Sequence, residues 1–370
     1  MNGMRVLSKL NLKKYRGKTC LLRIDLNIEP GSELDSFRVN AVVPTVKLLM
    51  KSGVKVVLLA HRGRPRGAER KLSLKEFVPV LAKKLKEDVH FIPHFRFVSI
   101  KKELGNWEEG VFLLENLRYL GGEEKNEKGF AKKLAGLGDF YVNDAFAVSH
   151  RANASVVAIT KHIPSYAGLV LEREVKNLGA ALSRRTHPFT FIVGGAKVSD
   201  KIAVLGALGT RADHILLGGG PANTFFVAQG LPVGNSLVDV DSVPFAKQNI
   251  TNPKVVIPCD VKIHERRILD IGAHTIEEWR HIIKRSRTII WAGPPGLFTE
   301  KGFAEGTKAV WRAVLKNSSA FSVVGGGETT ASLALLNGVS VPKNVFISTG
   351  GGAMLEFLSG KKLPSIEALK

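Results

Sequence analysis

Residues 54–66 read VKVVLLAHRGRPR, an almost wholly apolar run that ends abruptly in histidine and arginine. The run is apolar on both faces, as a strand must be when helices cover both sides of a parallel sheet. Ligands of such sheets bind beyond the carboxyl ends of the strands, where the charged residues follow here. The stretch therefore predicts a buried parallel strand whose end presents positive charge to a ligand.

Short apolar runs of this kind alternate with helical periodicity along the chain. We expect further strands at 19–24, 111–114, 139–143, 189–194, 213–218, 254–258, 287–292, 320–325 and 344–349. Between them, SLKE (73–76) and TIEE (275–278) each place a hydroxyl residue at a predicted helix N-cap and a glutamate three residues later. This alternation predicts α/β layers with right-handed crossovers. A helical stretch at 163–185 separates two strand-rich halves, which predicts two domains.

Composition limits the class of protein. A chain of 370 residues is too long for one ordinary core, and its mean hydropathy of +0.04 is typical of a soluble globular protein. It has no apolar run of about 18 residues, as a membrane span requires, and its start lacks the apolar core of a signal peptide. We therefore expect a cytoplasmic protein. Cys20 and Cys259 show no zinc-ligand spacing and are predicted to be buried thiols.

The net charge of +21 fits nucleic-acid binding, a polyanionic substrate or a host with basic proteins. The residues that follow the predicted strands narrow this choice. In the first half they are charged: RIDLN (23–27), AHRGR (60–64), ENLR (115–118) and NDAFAVSHR (143–151). In the second half they are glycine-rich: VGGAK (193–197), LGGGPAN (217–223), WAGPPG (291–296), VGGGET (324–329) and STGGGA (348–353).

The two halves thus suit anions in different ways. Guanidinium groups match phosphate and carboxylate oxygens, whereas glycine amides at helix N-termini leave room for a polyphosphate. One glycine pair is more often a tight turn, and one loop arginine is more often solvated. Repetition at successive strand ends favours two anion sites. Neither a Walker motif nor a G-x-G-x-x-G fingerprint occurs, so an ordinary P-loop or dinucleotide fold is not supported.

From about residue 5 to 370 the chain resembles the phosphoglycerate kinase family. The resemblance rests on ordered motifs that include LLRIDLN (21–27), LLENLRYLGGEEKN (113–126), GGAKVSDKI (194–202), LGGGPANTF (217–225) and STGGGAMLEFLSGKKLPSIEAL (348–369). It implies two doubly wound parallel-sheet domains that flank a cleft and are joined by a hinge helix. The domain that binds 3-phosphoglycerate would be 1–168 plus 357–370, and the nucleotide-binding domain would be 169–356.

The resemblance also implies a glycolytic enzyme that transfers a phosphoryl group reversibly between 1,3-bisphosphoglycerate and ADP, giving 3-phosphoglycerate and ATP. Such transfer needs alignment and charge neutralisation, after closure around the hinge, and no covalent nucleophile. Arg38 and Lys197 are the implied catalytic residues. The implied residues for 3-phosphoglycerate are Asp25, Leu26, Asn27, Arg38, His61, Arg62, Gly63, Arg64, Arg118 and Arg151.

On the nucleotide side, the resemblance implies Mg²⁺ held at Glu328 and a monomeric enzyme. The residues implied for ATP or ADP are Gly194, Gly195, Lys197, Lys201, Gly218, Gly219, Pro294, Thr299, Gly326, Gly327, Glu328, Thr329, Gly350 and Gly351. Several residues depart from the family pattern: Ala292 stands for an asparagine, Thr299 for a glutamate that contacts the ribose, Ile268 for a glycine and Glu328 for an aspartate. Glu300 is adjacent to Thr299 and is a candidate replacement for that glutamate.

Arg62 also departs from the family, because it stands where the pattern has a leucine.

Two other functions remain open. One is a catalytically weakened relative that binds phosphoglycerate. The other is a basic nucleic-acid-binding protein, although the chain has no helix-turn-helix, stacking motif or basic tail.

Overall fold

The computed structural model describes residues 3–31, 36–183, 186–196 and 199–370. The chain divides into two compact units, Met1–Lys176 with Lys362–Lys370, and Asn177–Lys361. The C-terminal segment belongs to the first unit, where the Arg5 amide donates to the Leu369 carbonyl at 3.3 Å. The predicted limits, 168/169 and 356/357, stand eight and five residues earlier in the chain.

A parallel sheet forms the centre of the first unit. Its strands are β1 Thr19–Arg23, β2 Lys55–Leu59, β3 Val89–Ile92, β4 Val111–Leu114, β5 Phe140–Asn143 and β6 Ser165–Ala167. In the described residues their order is β3–β4–β2–β1–β5–β6. The α-helices are α1 Phe37–Lys51, α2 Val78–Leu85, α3 Phe97–Gly105, α4 Gly121–Glu124, α5 Lys128–Ala135 and α6 Leu169–Ser183, the last of which continues into the second unit.

A second parallel sheet forms the centre of the second unit. Its strands are β7 Phe189–Val193, β8 His214–Leu217, β9 Val255–Val256, β12 Thr288–Ala292, β13 Phe321–Gly325 and β14 Val345–Ile347, beside a hairpin of β10 Val261–His264 and β11 Arg267–Ile271. Over the described part of the chain the sheet order is β14–β13–β12–β7–β8–β9. The α-helices of this unit are α7 Ser199–Gly209, α8 Gly219–Ala228, α9 Val243–Asn249, α10 Ala273–Arg285, α11 Glu305–Lys316, α12 Gly327–Ala331 and α13 Gly352–Leu358, whereas the last helix, α14 Pro364–Glu367, belongs to the first unit.

Short 3-10 helices occur in the connections of both units. They are Leu7–Lys9, Leu12–Tyr15, Arg70–Leu72, Leu74–Phe77, Leu117–Tyr119, Phe146–Val148, Ala158–Lys161, Val240–Ser242 and Ser332–Leu336. Among the described residues, no helix is both long and apolar enough to cross a membrane.

Helices cover both faces of the first sheet, which explains why its strands are mostly apolar. Leu22 of β1 packs in one buried cluster with Val42 and Val46 of α1. Its neighbour Leu21 points the other way and packs in a second cluster with Leu134 of α5. Burial on both faces removes the alternation of polar and apolar residues that a one-sided sheet shows. The predicted α/β fold with two doubly wound parallel sheets is confirmed.

All ten predicted strands occur, but other local predictions were wrong. Thr275 is not the N-cap of α10, because the helix begins at Ala273 after Gly272. The Asp260 carboxylate instead accepts the orphan amides of His274 at 3.0 Å and Thr275 at 2.8 Å. Cys20 is buried as predicted, whereas Cys259 is exposed, because it follows the short β9 at an edge of the second sheet.

Candidate active site

The carboxyl ends of four neighbouring strands carry the charged residues of the first unit. Asp25 and Asn27 follow β1, His61 follows β2, Arg118 follows β4 and Arg151 follows β5. These strands lie side by side in the order β4–β2–β1–β5. Because parallel strands end at one edge of the sheet, the topology brings residues far apart in sequence into one cluster.

Arg38, near the start of α1, is fixed to the loop that follows β1. Its Nη1 donates to the Asn27 carbonyl at 3.0 Å and lies 3.3 Å from Asp25 Oδ2. Asn27 is held in turn, since its Oδ1 accepts from the Gly63 amide at 2.8 Å. The Arg118 Nη1 donates to the Gly63 carbonyl at 2.6 Å. The loops after β1, β2 and β4 are therefore tied together around these polar groups.

His61 is held in one tautomer by a buried network. Arg23 Nη2 lies 2.9 Å from His61 Nδ1, and because arginine is only a donor, Nδ1 must accept. The imidazole proton is then on Nε2. Arg23 Nε donates to Ser155 Oγ at 2.9 Å, and Ser155 Oγ donates to Glu123 Oε1 at 2.6 Å. The network leaves His61 Nε2–H as a donor for an anion.

Burial, together with neighbouring cations, shifts two pKa values in this cluster. Burial lowers the pKa of His61 well below its ordinary value, and Arg23, Arg118, Arg151 and Arg38 lower it further. His61 is thus neutral at physiological pH. Burial and Arg151 also lower the pKa of Arg118 to about 10, against the opposing effect of Glu124. Several guanidinium groups therefore lie near enough to His61 to act on its charge.

The remaining predicted residues of this site are placed differently. The Leu26 side chain is fully buried, so only its backbone is available to a ligand. The Arg62 side chain is also fully buried and is bonded to Glu76 and to the Ile28 carbonyl. Arg64 is exposed. Arg151 Nε donates to His150 Nε2 at 3.3 Å.

Glycine loops after β7, β8 and β12 of the second unit pack backbone against backbone. The Gly195 amide donates to the Pro294 carbonyl at 2.7 Å, and the Gly219 amide donates to the Pro295 carbonyl at 3.0 Å. A Cβ on Gly194 would lie only 2.2 Å from the Pro294 oxygen, which no side chain could tolerate. Glycine is required here by close approach of the loops, and this approach leaves a concave backbone surface.

Lys201 and Glu328 meet beside this surface. Lys201 Nζ donates to the Gly194 carbonyl. A Cβ built on Gly195 would lie 3.3 Å from Lys201 Nζ and 3.1 Å from Glu328 Oε2, so both charged ends reach the same glycine. Lys197, the predicted catalytic partner of Arg38, lies outside the described residues.

Thr329 and Gly350 support the loops from within. The Thr329 Oγ1 accepts from the Gly293 amide at 2.8 Å, and the Thr329 side chain is fully buried. Gly350 is buried, and its amide donates to Ser348 Oγ at 3.1 Å. Gly218 is buried too and is the N-cap of α8. Gly218 and Gly350 shape the loops from within, whereas Thr329 both supports a loop and lines a cavity.

Two cavities of the second unit meet at Glu328 and Ala196. The first has a volume of about 360 Å³ and a largely apolar wall that includes Leu237, Ile268, Leu269, Pro294, Pro295, Phe298 and Thr299. The second, of about 310 Å³, is lined by Lys201, Ala292, Gly326, Gly327, Thr329 and Gly351. An apolar cavity next to one lined by glycine amides and a lysine suits a flat base joined to a polyphosphate.

Sequence reasoning did not assign some residues that the structure brings into these sites. Arg23, Ser155 and Glu123 build the network behind His61. Their signal is a charged side chain, Arg23, at the end of an otherwise apolar strand. Arg267 also lines the apolar cavity, although the sequence pattern points only to its neighbour Ile268 in this hairpin.

No group of three or more histidine, cysteine, aspartate or glutamate side chains suited to a metal ion occurs in the described residues. Mg²⁺ often takes only one or two protein carboxylates and completes its shell with phosphates and water. The Glu328 carboxylate at the junction of the two cavities fits that requirement.

Comparison with known proteins gives one consistent result. The profile of a family described as phosphoglycerate kinase matches residues 10–361. The phosphoglycerate kinase of Moorella thermoacetica is 39% identical over 98% of this chain and 99% of its own length, and that of Dictyoglomus turgidum is 39% identical over 96% of both. The crystal structure of phosphoglycerate kinase from Pyrococcus horikoshii OT3 has a TM-score of 0.88 at 33% identity, and covers 99% of this chain and 98% of that one. The structure of the Coxiella burnetii enzyme has a TM-score of 0.80 at the same identity and coverage.

Proposed function

The chain belongs to the phosphoglycerate kinase family, and on that premise we propose that its first unit binds 3-phosphoglycerate and that the two cavities of its second unit bind ATP or ADP. The activity is that of a glycolytic phosphotransferase with a carboxyl group as acceptor: a phosphoryl group passes between 1,3-bisphosphoglycerate and ADP. Membership in the family does not favour the two alternatives, a weakened relative or a nucleic-acid-binding protein.

The observation that carries the assignment of the first unit is the set of arginines at neighbouring strand ends around His61. Arg23 bonds to His61 Nδ1, and the positive charges of Arg38, Arg118 and Arg151 lower the pKa of His61 further. 3-Phosphoglycerate has a carboxylate and a phosphate on a three-carbon skeleton, so it offers two anionic ends to such a cluster. Planar guanidinium groups bind both ends with directed hydrogen bonds. The neutral His61 donates one more bond through Nε2–H.

In the proposed mechanism, Arg38 lies at the reacting carboxylate and stabilises the charge that develops during transfer. Among the described contacts of Arg38, both involve Nη1, so Nε and Nη2 can donate to the substrate. Lys197 would act from the nucleotide side, by its resemblance to the family pattern. Transfer of this kind depends on positioning and on neutralised oxygens, because no protein nucleophile takes part.

On the nucleotide side, the base lies in the apolar cavity and the phosphates lie along the glycine loops beside Lys201. The Glu328 carboxylate would hold Mg²⁺, which neutralises the β- and γ-phosphate oxygens when bound. Thr299 faces the cavity where the family pattern has a ribose-binding glutamate, whereas exposed Glu300 is not part of the cavity lining in the described residues. From the family alone we further propose a monomer that works in the cytoplasm.

The direct test is a coupled assay that follows ADP formation from ATP with 3-phosphoglycerate as acceptor. We expect turnover that requires both Mg²⁺ and 3-phosphoglycerate and that is absent with 2-phosphoglycerate. Replacing ATP with GTP, CTP and UTP measures base preference. Turnover that is independent of the acceptor would overturn the assignment of the first unit, and turnover without any divalent cation would overturn the role of Glu328.

A further inference from the structure

Arg62 is the most buried charged side chain near the 3-phosphoglycerate pocket, with none of its surface exposed. Its Nη1 lies 2.8 Å from Glu76 Oε2, and its Nε donates to the Ile28 carbonyl at 2.8 Å. Its Cζ lies 5.4 Å from the centre of the Phe77 ring. A side chain so enclosed contacts no solute from solvent, so its role must be exerted through the residues it holds.

Arg62 joins a loop of the pocket to a rigid support. The Ile28 carbonyl belongs to the loop between β1 and α1, one residue beyond Asn27. Glu76 belongs to the 3-10 helix Leu74–Phe77. That helix is anchored at the end of β4, since Glu115 accepts from Ser73 Oγ at 2.7 Å and from the Leu74 amide at 2.9 Å.

Two bonds next to each other fix the pocket loop to the residues after β2. One is Arg62 Nε to the Ile28 carbonyl, and the other is the Gly63 amide to Asn27 Oδ1 at 2.8 Å. Arg38 then bonds to the Asn27 carbonyl at 3.0 Å. Loss of the Arg62 bond would release the Ile28 carbonyl, which directly follows the Asn27 residue that bonds to Gly63 and Arg38.

We propose that Arg62 is a positioning residue for the 3-phosphoglycerate pocket, which holds the Asn27–Ile28 backbone against the helix that carries Glu76. The proposal rests on the proposed function of the first unit. An apolar residue at this position, as in the family pattern, would make neither bond. The Arg62–Glu76 tether therefore is a feature of this chain, and its contribution is visible in substrate binding rather than in folding.

The test compares Arg62→Leu with Arg66→Leu, which removes an exposed arginine from the same loop. For Arg62→Leu we expect KM for 3-phosphoglycerate to rise about tenfold, as for a lost bond to a charged group, with KM for ATP changed less than about twofold. Arg66→Leu should leave both constants within about twofold of wild type, as surface changes usually do. The Glu76 side chain left behind is 51% exposed and can be solvated by water, so the melting temperature should not fall in parallel.

Glu76→Ala separates positioning from direct substrate contact. If Arg62 acts through the loop, loss of its anchor should raise KM for 3-phosphoglycerate about threefold. If Arg62 bound the anionic substrate directly, removal of a nearby acid would lower that KM. An unchanged KM in Arg62→Leu, or a lowered KM in Glu76→Ala, overturns the proposal. If Arg62→Leu fails to fold, Arg62→Lys with Glu76→Ala answers the same question.

Arg38→Ala is measured alongside to separate this proposal from the function on which it rests. If Arg38→Ala is nearly inactive while Arg62→Leu is normal, only the positioning role fails. If Arg38→Ala turns over like wild type, the proposed site itself fails.

Discussion

Replacing Arg38 with alanine should remove most turnover while leaving nucleotide binding intact. Arg38 is held through Nη1 by the Asn27 carbonyl and Asp25, and its side chain is 26% exposed. A preorganised donor at the point where charge develops is typically worth about 3 kcal/mol, or roughly 150-fold in kcat. Because the second unit binds the nucleotide in this scheme, the dissociation constant for ATP should not change.

The same substitution has a structural consequence that must be measured separately. The Asp25 side chain is 6% exposed and has Arg38 as its cationic partner in the described residues. Removing Arg38 leaves a nearly buried carboxylate without a counter-charge, at a cost of about 1–3 kcal/mol in the free energy of unfolding. Arg38→Lys restores the positive charge but not the paired N–H donors of the guanidinium group, so its kcat should lie between those of Arg38→Ala and wild type.

The assay is coupled ADP formation at saturating 3-phosphoglycerate, with ATP binding followed by calorimetry. Arg70→Ala is the matched control, because it removes an exposed arginine outside the proposed site. Wild-type kcat in Arg38→Ala would refute the reasoning outright. A low kcat that Arg38→Lys does not improve, together with a large loss of unfolding free energy, would instead assign Arg38 to folding.

Three further predictions concern other parts of the molecule. Thr299→Glu should tighten ATP binding about tenfold or more by calorimetry, since a charge-assisted bond to the ribose is worth about 1.5–3 kcal/mol, whereas Glu300→Ala should leave it unchanged; equal constants for Thr299→Glu and wild type would contradict the ribose assignment. Lys201→Ala should weaken ATP binding about tenfold with a smaller effect on kcat. A large loss of kcat with little change in ATP binding would mean that Lys201 acts on the phosphoryl group during its transfer. Burial raises the pKa of Asp144 from its ordinary 3.8 to about 6, so the native state binds this proton more tightly than the unfolded state does. The stabilisation, about 3 kcal/mol, is complete below pH 4 and is lost as pH rises through 6; Asp144→Asn should abolish this part of the pH dependence in urea unfolding, and identical pH dependence in both proteins would contradict it.

The central strands could be predicted from sequence because burial on both faces leaves only apolar residues there. Residues 54–60 are such a case, and β2 is found at Lys55–Leu59. The missed strands lie where burial is incomplete. Of β3, the residues His90 and Phe91 are only partly buried, and β10 is half exposed in a two-stranded hairpin. An edge strand has one neighbour and fewer apolar positions, so its pattern is weak.

The sequence predicts which residues lie together at the strand ends of the candidate site, but not which atoms of those residues bond to one another. Parallel topology places every loop after a strand at the same edge, so Asp25, His61 and Arg118 were expected together. Which atom of an arginine bonds to which partner depends on distances that no local pattern carries. Arg62 was grouped with the substrate ligands by its position, yet its bonds go to Glu76 and the Ile28 carbonyl. The charge of Arg23 is evident from the sequence. Its bond to His61 Nδ1 is not, because it joins the ends of two different strands.

The two proposed sites suit anions that differ in charge: a free anion in the first unit and a nucleotide already paired with Mg²⁺ in the second. In the proposed assignment 3-phosphoglycerate brings bare negative charge, and the first unit meets it with guanidinium groups. Burial, and then repulsion by Arg151, lowers the pKa of one of them, Arg118, to about 10. That mutual repulsion is relieved when an anion binds, so part of the affinity comes from the crowding itself. A nucleotide that arrives with Mg²⁺ is already partly neutralised, and a second cluster of arginines would compete with the metal for its oxygens. Glycine amides, Lys201 and the Glu328 carboxylate suit that ligand better, because amides direct hydrogen bonds without adding full charge while the carboxylate attracts the cation.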